Sequence, residues 1–266
     1  MPAGDAESTY AAIARNLRSA LSVYSLSTVR GSVVELEGVS LVNSGVDYAV
    51  FNAAVFYEKV NGHTPVGELI DQAAAHYDTH DLGWSCWVCE ELLGDRLDEL
   101  TSHLKRHGLR ASARHQGMVA DRLVPPARPL PAVEMRRVGD KPSRLDFVQI
   151  SSQVFALPLP VAHRIYDSER FWAGGFMAWI GYVEDRPVCT AAVDSSCGVV
   201  GLYSVGTLHR YQRRGYGEKV TRHVLEESCR ASNLSRSILQ STREGLPLYR
   251  KMGFRPMGRF SVYVSR

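Results

Sequence analysis

The residues that best fit a chemical task form a short polar, glycine-rich run, Gln212-Arg213-Arg214-Gly215-Tyr216-Gly217, between an apolar segment and an amphipathic one. Glycines permit a tight turn and let a ligand approach the backbone, and the first N–H groups of a helix have no partner inside that helix. A helix start of this kind favours anions, and Arg213 and Arg214 add positive charge. Two glycines alone would indicate no more than a tight turn, but together with the arginines they predict a pyrophosphate-binding loop.

Two segments around this run resemble one family. The segment Val205–Gly217 resembles the acetyl-CoA-binding signature of the GNAT superfamily, a strand followed by Arg/Gln-x-x-Gly-x-Gly/Ala. Further along the chain, Leu248-Tyr249-Arg250-Lys251-Met252-Gly253-Phe254 resembles the second signature of that family, Leu-Tyr-x-x-x-Gly-Phe. The order of the two motifs is that of the family, and the resemblance covers about residues 132 to 266.

The resemblance implies an N-acetyltransferase that moves the acetyl group of acetyl-CoA to a primary amine of a small molecule or peptide, by direct attack in a ternary complex. The pyrophosphate would meet backbone N–H groups from Arg213 to Glu218, and the pantetheine arm would meet the strand backbone at Val205 and Thr207. The thioester would lie between the strand that ends at Leu208 and the strand around Leu239, with its oxyanion held by an N–H group near Val205 to Thr207. The residues so implied for the acetyl-CoA site are Val205, Gly206, Thr207, Gln212, Arg213, Arg214, Gly215, Tyr216, Gly217, Glu218 and Thr242. Thr242 departs from the family pattern, because many relatives carry Asn seven residues before the tyrosine.

Tyr249 is the residue that the resemblance implies as general acid for the departing thiolate. A phenol with a pKa near ~10 can donate a proton to a thiolate whose conjugate acid lies near ~8.5, once the thiolate is poorly solvated. The alternative is an amphipathic side chain that packs against the sheet. No general base is identified: we expect the candidates to be solvated residues of turns and helix ends, and water can relay the proton instead. These candidates are Glu184, Asp194, Glu244 and His209.

Two other functions stay open. The same fold can use another acyl-CoA or a different reaction, because fold and cofactor site do not determine the chemistry. The chain can also be a non-catalytic acyl-CoA-binding module, as the lack of an evident base suggests. Cys189, in a strand-like run, and Cys197, in a turn, have no adjacent histidine that would activate a thiol, so we expect no covalent enzyme intermediate.

Hydrophobic periodicity predicts the elements that position these residues. In the second half the order is strand, two helices, three antiparallel strands, helix, strand, helix, strand, which is a mixed α/β sheet. The predicted segments are a strand at Ala132–Arg137, a helix capped by Ser143, a short helix after Pro158, strands at Phe176–Val183, Val188–Val193 and Val199–Leu208, a helix that ends at Asn233, a strand at Ile238–Leu239, a helix at Leu246–Met252 and a strand through Phe260, Val262 and Val264.

The first half shows a similar order without the motifs. It begins with a helix that carries Tyr10, Ile13, Leu17 and Leu21 on one stripe, and it ends with a strand pair between Leu109 and Arg122. Its counterpart of the glycine-rich run, Tyr57–Pro65, has one glycine, and Pro65 lacks an N–H group. We therefore predict a tandem arrangement: residues 1–124 form a degenerate GNAT-like domain that binds no CoA and completes the acceptor cleft, 125–131 form a proline-rich linker, and 132–266 form the catalytic domain.

Composition sets the remaining expectations. The chain of 266 residues is long enough for two domains, and its net charge of +3 without basic blocks predicts no nucleic-acid partner. The sequence shows no membrane span and no secretory signal, and the irregular spacing of its five cysteines favours a reducing cytoplasm. Cys86 and Cys89 form a CxxC on a predicted strand, which favours packed thiols over a zinc site, and we expect no metal. The nearby aromatic residues Phe51, Phe56, Trp84 and Trp87 are expected in the core.

Overall fold

The computed structural model describes residues 3–60 and 64–265, with the side chains of residues 3–7 left undescribed. In its first half the helices and strands are α1 (Ala3–Ser22), β1 (Ser32–Leu36), β2 (Val39–Asn43), β3 (Ala53–Phe56), α2 (Val66–Asp78), β4 (Ser85–Cys89), α3 (Glu90–Leu93), α4 (Leu97–Arg106) and β5 (Arg110–Ala120). In its second half they are β6 (Glu134–Arg137), α5 (Lys141–Val154), α6 (Leu159–Tyr166), α7 (Glu169–Ala173), β7 (Met177–Val183), β8 (Arg186–Ser196), β9 (Val199–Thr207), α8 (Tyr216–Ser232), β10 (Ser237–Ser241), α9 (Leu246–Lys251) and β11 (Arg255–Val264). The mixed α/β class predicted from the sequence is confirmed.

The chain divides into two compact units whose limits differ from the sequence halves. The first unit comprises Met1–Met118, Gln240–Arg243 and Pro256–Arg266, and the second comprises Val119–Leu239 and Glu244–Arg255. The last strand of the chain therefore belongs to the first unit.

The second unit has the strand order β10-β9-β8-β7-β6. Strands β6 to β9 pair antiparallel, and β10 pairs parallel to β9. Two-residue turns connect the hairpins at Glu184–Asp185 and at Cys197–Gly198, and all four residues have positive φ, between 50 and 75°. Turns of this type match the right-handed twist of paired strands, which explains why these short loops hold the register.

Helix α5 begins earlier than its sequence predicts. Asp140, and not Ser143, is the N-cap, and its carboxylate accepts a hydrogen bond of 3.0 Å from the backbone N–H of Ser143. Pro142 stands at the start of the helix, where a missing N–H costs nothing. The capping prediction was wrong because Asp140, three residues upstream, caps an earlier turn, in which the backbone N–H of Ser143 is one of the orphan donors. The short helix α7 was not predicted.

The first unit has the strand order β1-β2-β3-β4-β11-β5. Strand β11 pairs antiparallel to β4, with Phe260 opposite Cys89 and Val264 opposite Ser85. The segment predicted as a strand pair between Leu109 and Arg122 is instead the single long strand β5. Gly117 within this strand does not form a turn; it lies so close to the Phe260 ring and the Met257 carbonyl that a side chain would have no room.

A buried carboxylate fastens β11 into this sheet. Glu90 accepts two hydrogen bonds from Arg114 on β5, at 2.8 and 2.6 Å, and one from the Ser261 hydroxyl on β11, at 2.6 Å. Burial alone would raise the pKa of Glu90, but these hydrogen bonds hold it below its usual value. The carboxylate therefore stays charged and paired at neutral pH.

The two units repeat one topology. In the second unit, three antiparallel strands (β7, β8, β9) lead into helix α8 and then into β10, which is parallel to β9. In the first, β1, β2 and β3 are antiparallel, helix α2 follows, and β4 is parallel to β3. The structural duplication inferred from the order of elements is thus visible in the strand pairing.

Most of the aromatic and cysteine residues expected in the core lie buried in the first unit. Trp84 is buried and stacks on Tyr77 at 5.0 Å, and Phe51 and Phe56 are also buried. Trp87 is half-buried and stacks on His115. Burial raises the pKa of both Cys86 and Cys89, the latter to about 12, so both are packed thiols.

Within the described residues, no group of three or more His, Cys, Asp or Glu is arranged to hold a metal ion. Across the same residues, every helix is too short or too polar to cross a lipid bilayer.

Candidate active site

Strand β9 extends beyond its pairing with β10. Its parallel pairing with β10 runs from Val200 opposite Ser237 to Leu202 opposite Leu239, whereas β9 itself continues to Thr207. The last part of β9, Tyr203–Thr207, is therefore a strand tail whose edge lies beyond the residues that pair with β10. Backbone N–H and C=O groups on such an edge are available to a ligand.

A β-bulge reshapes the same tail. On the β8 side, Ala192 lies opposite Tyr203 and Thr190 opposite Gly206, so β9 uses one residue more than β8 over this interval. Ser204 takes a positive φ of 48°, which is uncommon for a residue other than glycine. A bulge leaves its extra residue out of the ladder and re-aims the backbone. This bulge was not predicted, because nothing in the residue type of Ser204 signals a bulge.

The glycine-rich run connects this tail to helix α8. Gly215 is the N-cap in a left-handed conformation, with a φ of 92°, and its carbonyl accepts the first helical hydrogen bond, from Lys219, at 2.9 Å. The N–H groups of Tyr216, Gly217 and Glu218 thus form the first turn, where no carbonyl of the helix can reach them. Arg213 also has positive φ, at 60°. The side-chain amide of Gln212 donates back to the Thr207 carbonyl at 3.1 Å, which ties the loop to the strand tail.

A side chain would be crowded at three glycine positions, Gly206 in the strand tail and Gly215 and Gly217 in the loop. A side chain at position 217 would place its Cβ 3.2 Å from the Thr207 hydroxyl, and one at 206 would place its Cβ 2.8 Å from Val154 on α5. A Cβ at position 215 would lie 3.0 Å from the Pro131 ring. The space between Thr207 and the α8 N-terminus is therefore a cradle that a side chain would fill.

The charges around the loop favour an anion. Arg213 and Arg214 are exposed, while the acid of the first helical turn, Glu218, is paired with Arg222 at 2.7 Å. Both partners of that pair are mostly buried, at 16% and 8% exposure. The Glu218 carboxylate is thus neutralised within the helix, and the positive helix N-terminus and the two arginines remain.

The proline-rich segment lies against the same loop. Pro131 and Leu130 contact the position of Gly215, and the Arg128 guanidinium approaches the Arg213 carbonyl at 3.5 Å. Residues 123–133 form neither helix nor strand, as four prolines in the sequence predict.

Tyr249 lies on α9 in the second unit, with its side chain 8% exposed. Its ring packs edge-on against Phe254 at 5.8 Å. Burial raises the pKa of the phenol, so the proton stays on the oxygen at neutral and moderately alkaline pH. Thr242, the departure from the family pattern, is exposed and belongs to the segment that clusters with the first unit.

The candidate bases fall in different surroundings. Glu184 and Glu244 are exposed, and Glu184 occupies a hairpin turn as expected. His209 is exposed, at the first position of a 3₁₀ turn after β9. Asp194 contradicts the expectation of a solvated loop residue, because it is buried within β8 and accepts a hydrogen bond from Ser196. Burial raises the pKa of Cys189 to about 12, which makes it a poor nucleophile.

Comparison with known proteins adds to this geometry. A family model described as an acetyltransferase (GNAT) domain matches residues 169–256. A GCN5-related N-acetyltransferase from Kribbella flavida superposes with a TM-score of 0.71 at 19% identity, covering 96% of this chain and 95% of that one. A tandem GNAT protein from the clavulanic acid biosynthesis pathway gives 0.60 at 14% identity, with 94% of each chain covered.

The chain has a GNAT fold. A third structure, a GCN5-related N-acetyltransferase from Sphaerobacter thermophilus, gives a TM-score of 0.53 at 13% identity over 87% of this chain and 82% of that one. Curated proteins gave no match to the sequence. Because the first two superpositions extend over nearly the whole chain, the tandem GNAT-like arrangement inferred for the first half is confirmed at the level of fold. The family match supports an acyltransferase.

The described residues of the first unit differ from those of the second unit at the corresponding strand and helix start. Its strand β3 is paired with β4 along its whole length, from Ala53 opposite Ser85 to Phe56 opposite Val88. Part of the loop that follows, Asn61-Gly62-His63, lies outside the described residues. Before this gap Val60 is buried in the apolar core, and after it Pro65 is the N-cap of α2.

Proposed function

We propose that the second unit is an acetyl-CoA-dependent N-acetyltransferase that acts on a primary amine of a small molecule or peptide by direct attack in a ternary complex. The observation that carries the proposal is the tail of β9: it runs past its pairs with β10, bulges at Ser204 and ends at a helix N-terminus cleared by glycines.

Acetyl-CoA fits the residues present. Its pyrophosphate would meet the N–H groups from Arg213 to Glu218, in the cradle that a Cβ at position 217 would fill. Its pantetheine arm is an extended chain of amides, which suits an edge of backbone donors and acceptors at Val205 and Thr207. Arg213 and Arg214 would add attraction without pairing to Glu218, since Arg222 already engages that carboxylate.

The chain's own groups then have distinct tasks. Acetyl-CoA supplies an activated acetyl group to a neutral amine. N–H groups of the bulged tail, between Val205 and Thr207, would stabilise negative charge on the thioester oxygen. Tyr249, whose phenol is protonated at neutral pH, would donate its proton to the departing thiolate, and water would take up the proton that the amine nitrogen loses.

The test is thiol release by the intact protein with acetyl-CoA and a panel of amines, coupled to product mass. We expect one acetylated amine for each CoA released, and a loss of both in Gly217→Val. Release of CoA without an acetylated amine would contradict N-acetyl transfer. Binding of acetyl-CoA without any release would instead favour a non-catalytic module.

A further inference from the structure

A half-open cavity of about 550 Å³, lined by both apolar and polar side chains, lies in the second unit beside the strand tail. Its polar lining comes from Asp146, Gln149 and Gln153 on α5, from Arg186 at the start of β8, and from His209 and Arg210 after β9. This volume is within the usual range for a small-molecule site. None of these residues has a task in the acetyl-CoA site proposed above.

The cavity opens on the face of β9 opposite the glycine-rich loop. Gly206 faces α5, because a Cβ there would touch Val154, the neighbour of Gln153. Thr207 faces α8, since its hydroxyl lies next to Gly217. Successive strand residues point to opposite faces, so the loop and the cavity flank the tail from two sides. Leu208, the residue directly after β9, lines the cavity.

The lining carries excess positive charge. Within the described parts of the chain, Arg186 and Arg210 form no ion pair, and the Arg210 guanidinium rests on the Tyr211 ring at 5.0 Å. Asp146 is the one acid among the described lining residues, and one of its oxygens already accepts the Tyr182 hydroxyl at 2.7 Å. Gln149 and Gln153, four residues apart on α5, add amide donors. Guanidinium forks with amide donors suit a carboxylate or a phosphate.

We propose that this cavity binds a carboxylate or phosphate group of the acceptor, so that the preferred substrates are small amines that also carry an anionic group. That the acceptor is an amine rests on the proposed function. That it carries an anionic group rests on the cavity alone. The two arginines are specificity-determining residues and take no part in the chemistry.

Kinetics with matched amines test the preference. β-Alanine and its amide differ in the carboxylate, and spermidine serves as a cationic amine. We expect kcat/KM to favour the carboxylate form by about tenfold or more, and Arg186→Gln/Arg210→Gln to remove about that factor for β-alanine alone. The matched control is Arg122→Gln, an exposed arginine of the same unit, which should change neither. Preference for spermidine or the amide in the unchanged protein would overturn the inference, as would equal losses for all amines.

The acetyl-CoA dissociation constant of the double variant shows whether the cavity binds the anionic group of the acceptor or a phosphate of CoA. It should stay within about threefold in the double variant, because the acceptor's anion and not a CoA phosphate occupies the cavity. A larger rise would assign the arginines to CoA and contradict the proposal.

A binding experiment keeps the inference testable without turnover. In amide-resolved NMR spectra, inorganic phosphate and succinate should shift the side-chain NH₂ signals of Gln149 and Gln153 in the unchanged protein and not in the double variant. Shifts without turnover of any amine would contradict the proposed function and still support the anion site. Turnover without shifts and without the carboxylate preference would contradict the anion site alone.

Discussion

Gly215 holds a backbone conformation that other residues rarely adopt, and it does so at the start of α8. Its φ is 92°, and a Cβ there would press on Pro131. We predict that Gly215→Ala raises the acetyl-CoA dissociation constant by about tenfold or more, because the strain of roughly 1–3 kcal/mol is relieved by moving the loop N–H groups. Equilibrium dialysis or calorimetry measures the change.

Gly175 offers a matched control. It has a φ of 91°, lies in the same unit and has no atom within 4 Å of its Cβ position. Gly175→Ala should therefore cost similar stability and leave acetyl-CoA affinity unchanged. Equal affinity losses in the two variants would mean that the loop is not the pyrophosphate site.

Tyr249 is predicted to act in the transition state. Removal of its hydroxyl in Tyr249→Phe should lower kcat by about 100-fold or more, while the acetyl-CoA dissociation constant changes little. Tyr77→Phe is the control, since it deletes another buried phenol, one that bonds the Val42 carbonyl of the first unit. A loss of less than about threefold in kcat would make Tyr249 a packing residue.

The raised pKa of Tyr249 also predicts the pH profile. A group with a raised pKa keeps its proton to higher pH, so the acid form persists while the acceptor amine loses its own proton. The value of kcat/KM should rise with pH and then level off, with no fall from Tyr249 below about pH 10. A descending limb below that pH that disappears in Tyr249→Phe would contradict the assignment.

Sequence reasoning located the loop residues because their signal is local. Glycines at 215 and 217 and arginines at 213 and 214 describe a helix start that can be read from adjacent residues. The bulge at Ser204 could not be read in this way, because it arises from the register between β8 and β9. The cavity arginines were missed for the same reason: Arg186 and Arg210 meet only after a strand and a hairpin fold back.

Among the secondary-structure elements, β11 contributes strongly to the stability of the first unit. Phe260 is 1% exposed between β4 and β5, and its neighbours Arg259 and Ser261 both reach Glu90. We predict that Phe260→Ala destabilises the fold by about 3–5 kcal/mol, through the lost apolar contacts and the cavity left behind. Urea unfolding of the intact chain should show a lower midpoint.

Phe260→Leu keeps most of the apolar volume, so it should lower the free energy of unfolding clearly less than Phe260→Ala does. Hydrogen exchange then locates the effect, which should appear in the amides of β4. An alanine variant as stable as the unchanged protein would mean that β11 is not part of this core.

Most elements were foreseen, but the position of β11 was not. Alternation at Phe260, Val262 and Val264 predicts a strand with an apolar face, and it cannot say which sheet receives that face. The assignment of 132–266 as one domain therefore remains a proposal about function, while compactness places Pro256–Arg266 with the first unit. A cut at Pro125–Pro126 would separate β11 from β4 and β5, so the tests use the intact chain.

At the scale of the whole molecule, two copies of one topology have diverged at the same place. The second copy has a strand tail beyond its pairs with β10 and a glycine-cleared helix start, whereas in the first copy β3 is fully paired and α2 starts after Pro65. In the first turn of α2 the N–H group of Gly67 already donates to the Glu99 carboxylate at 3.1 Å, which places a negative charge where an anion would bind. We therefore propose that the chain carries a single acetyl-CoA site, in the second unit.

Calorimetric titration of acetyl-CoA into the intact protein tests this claim most directly. We expect one molecule bound per chain, and none detectable in Gly217→Val, whose side chain would fill the space next to Thr207. Two molecules bound per chain, or binding unchanged by Gly217→Val in a protein that remains folded, would contradict it.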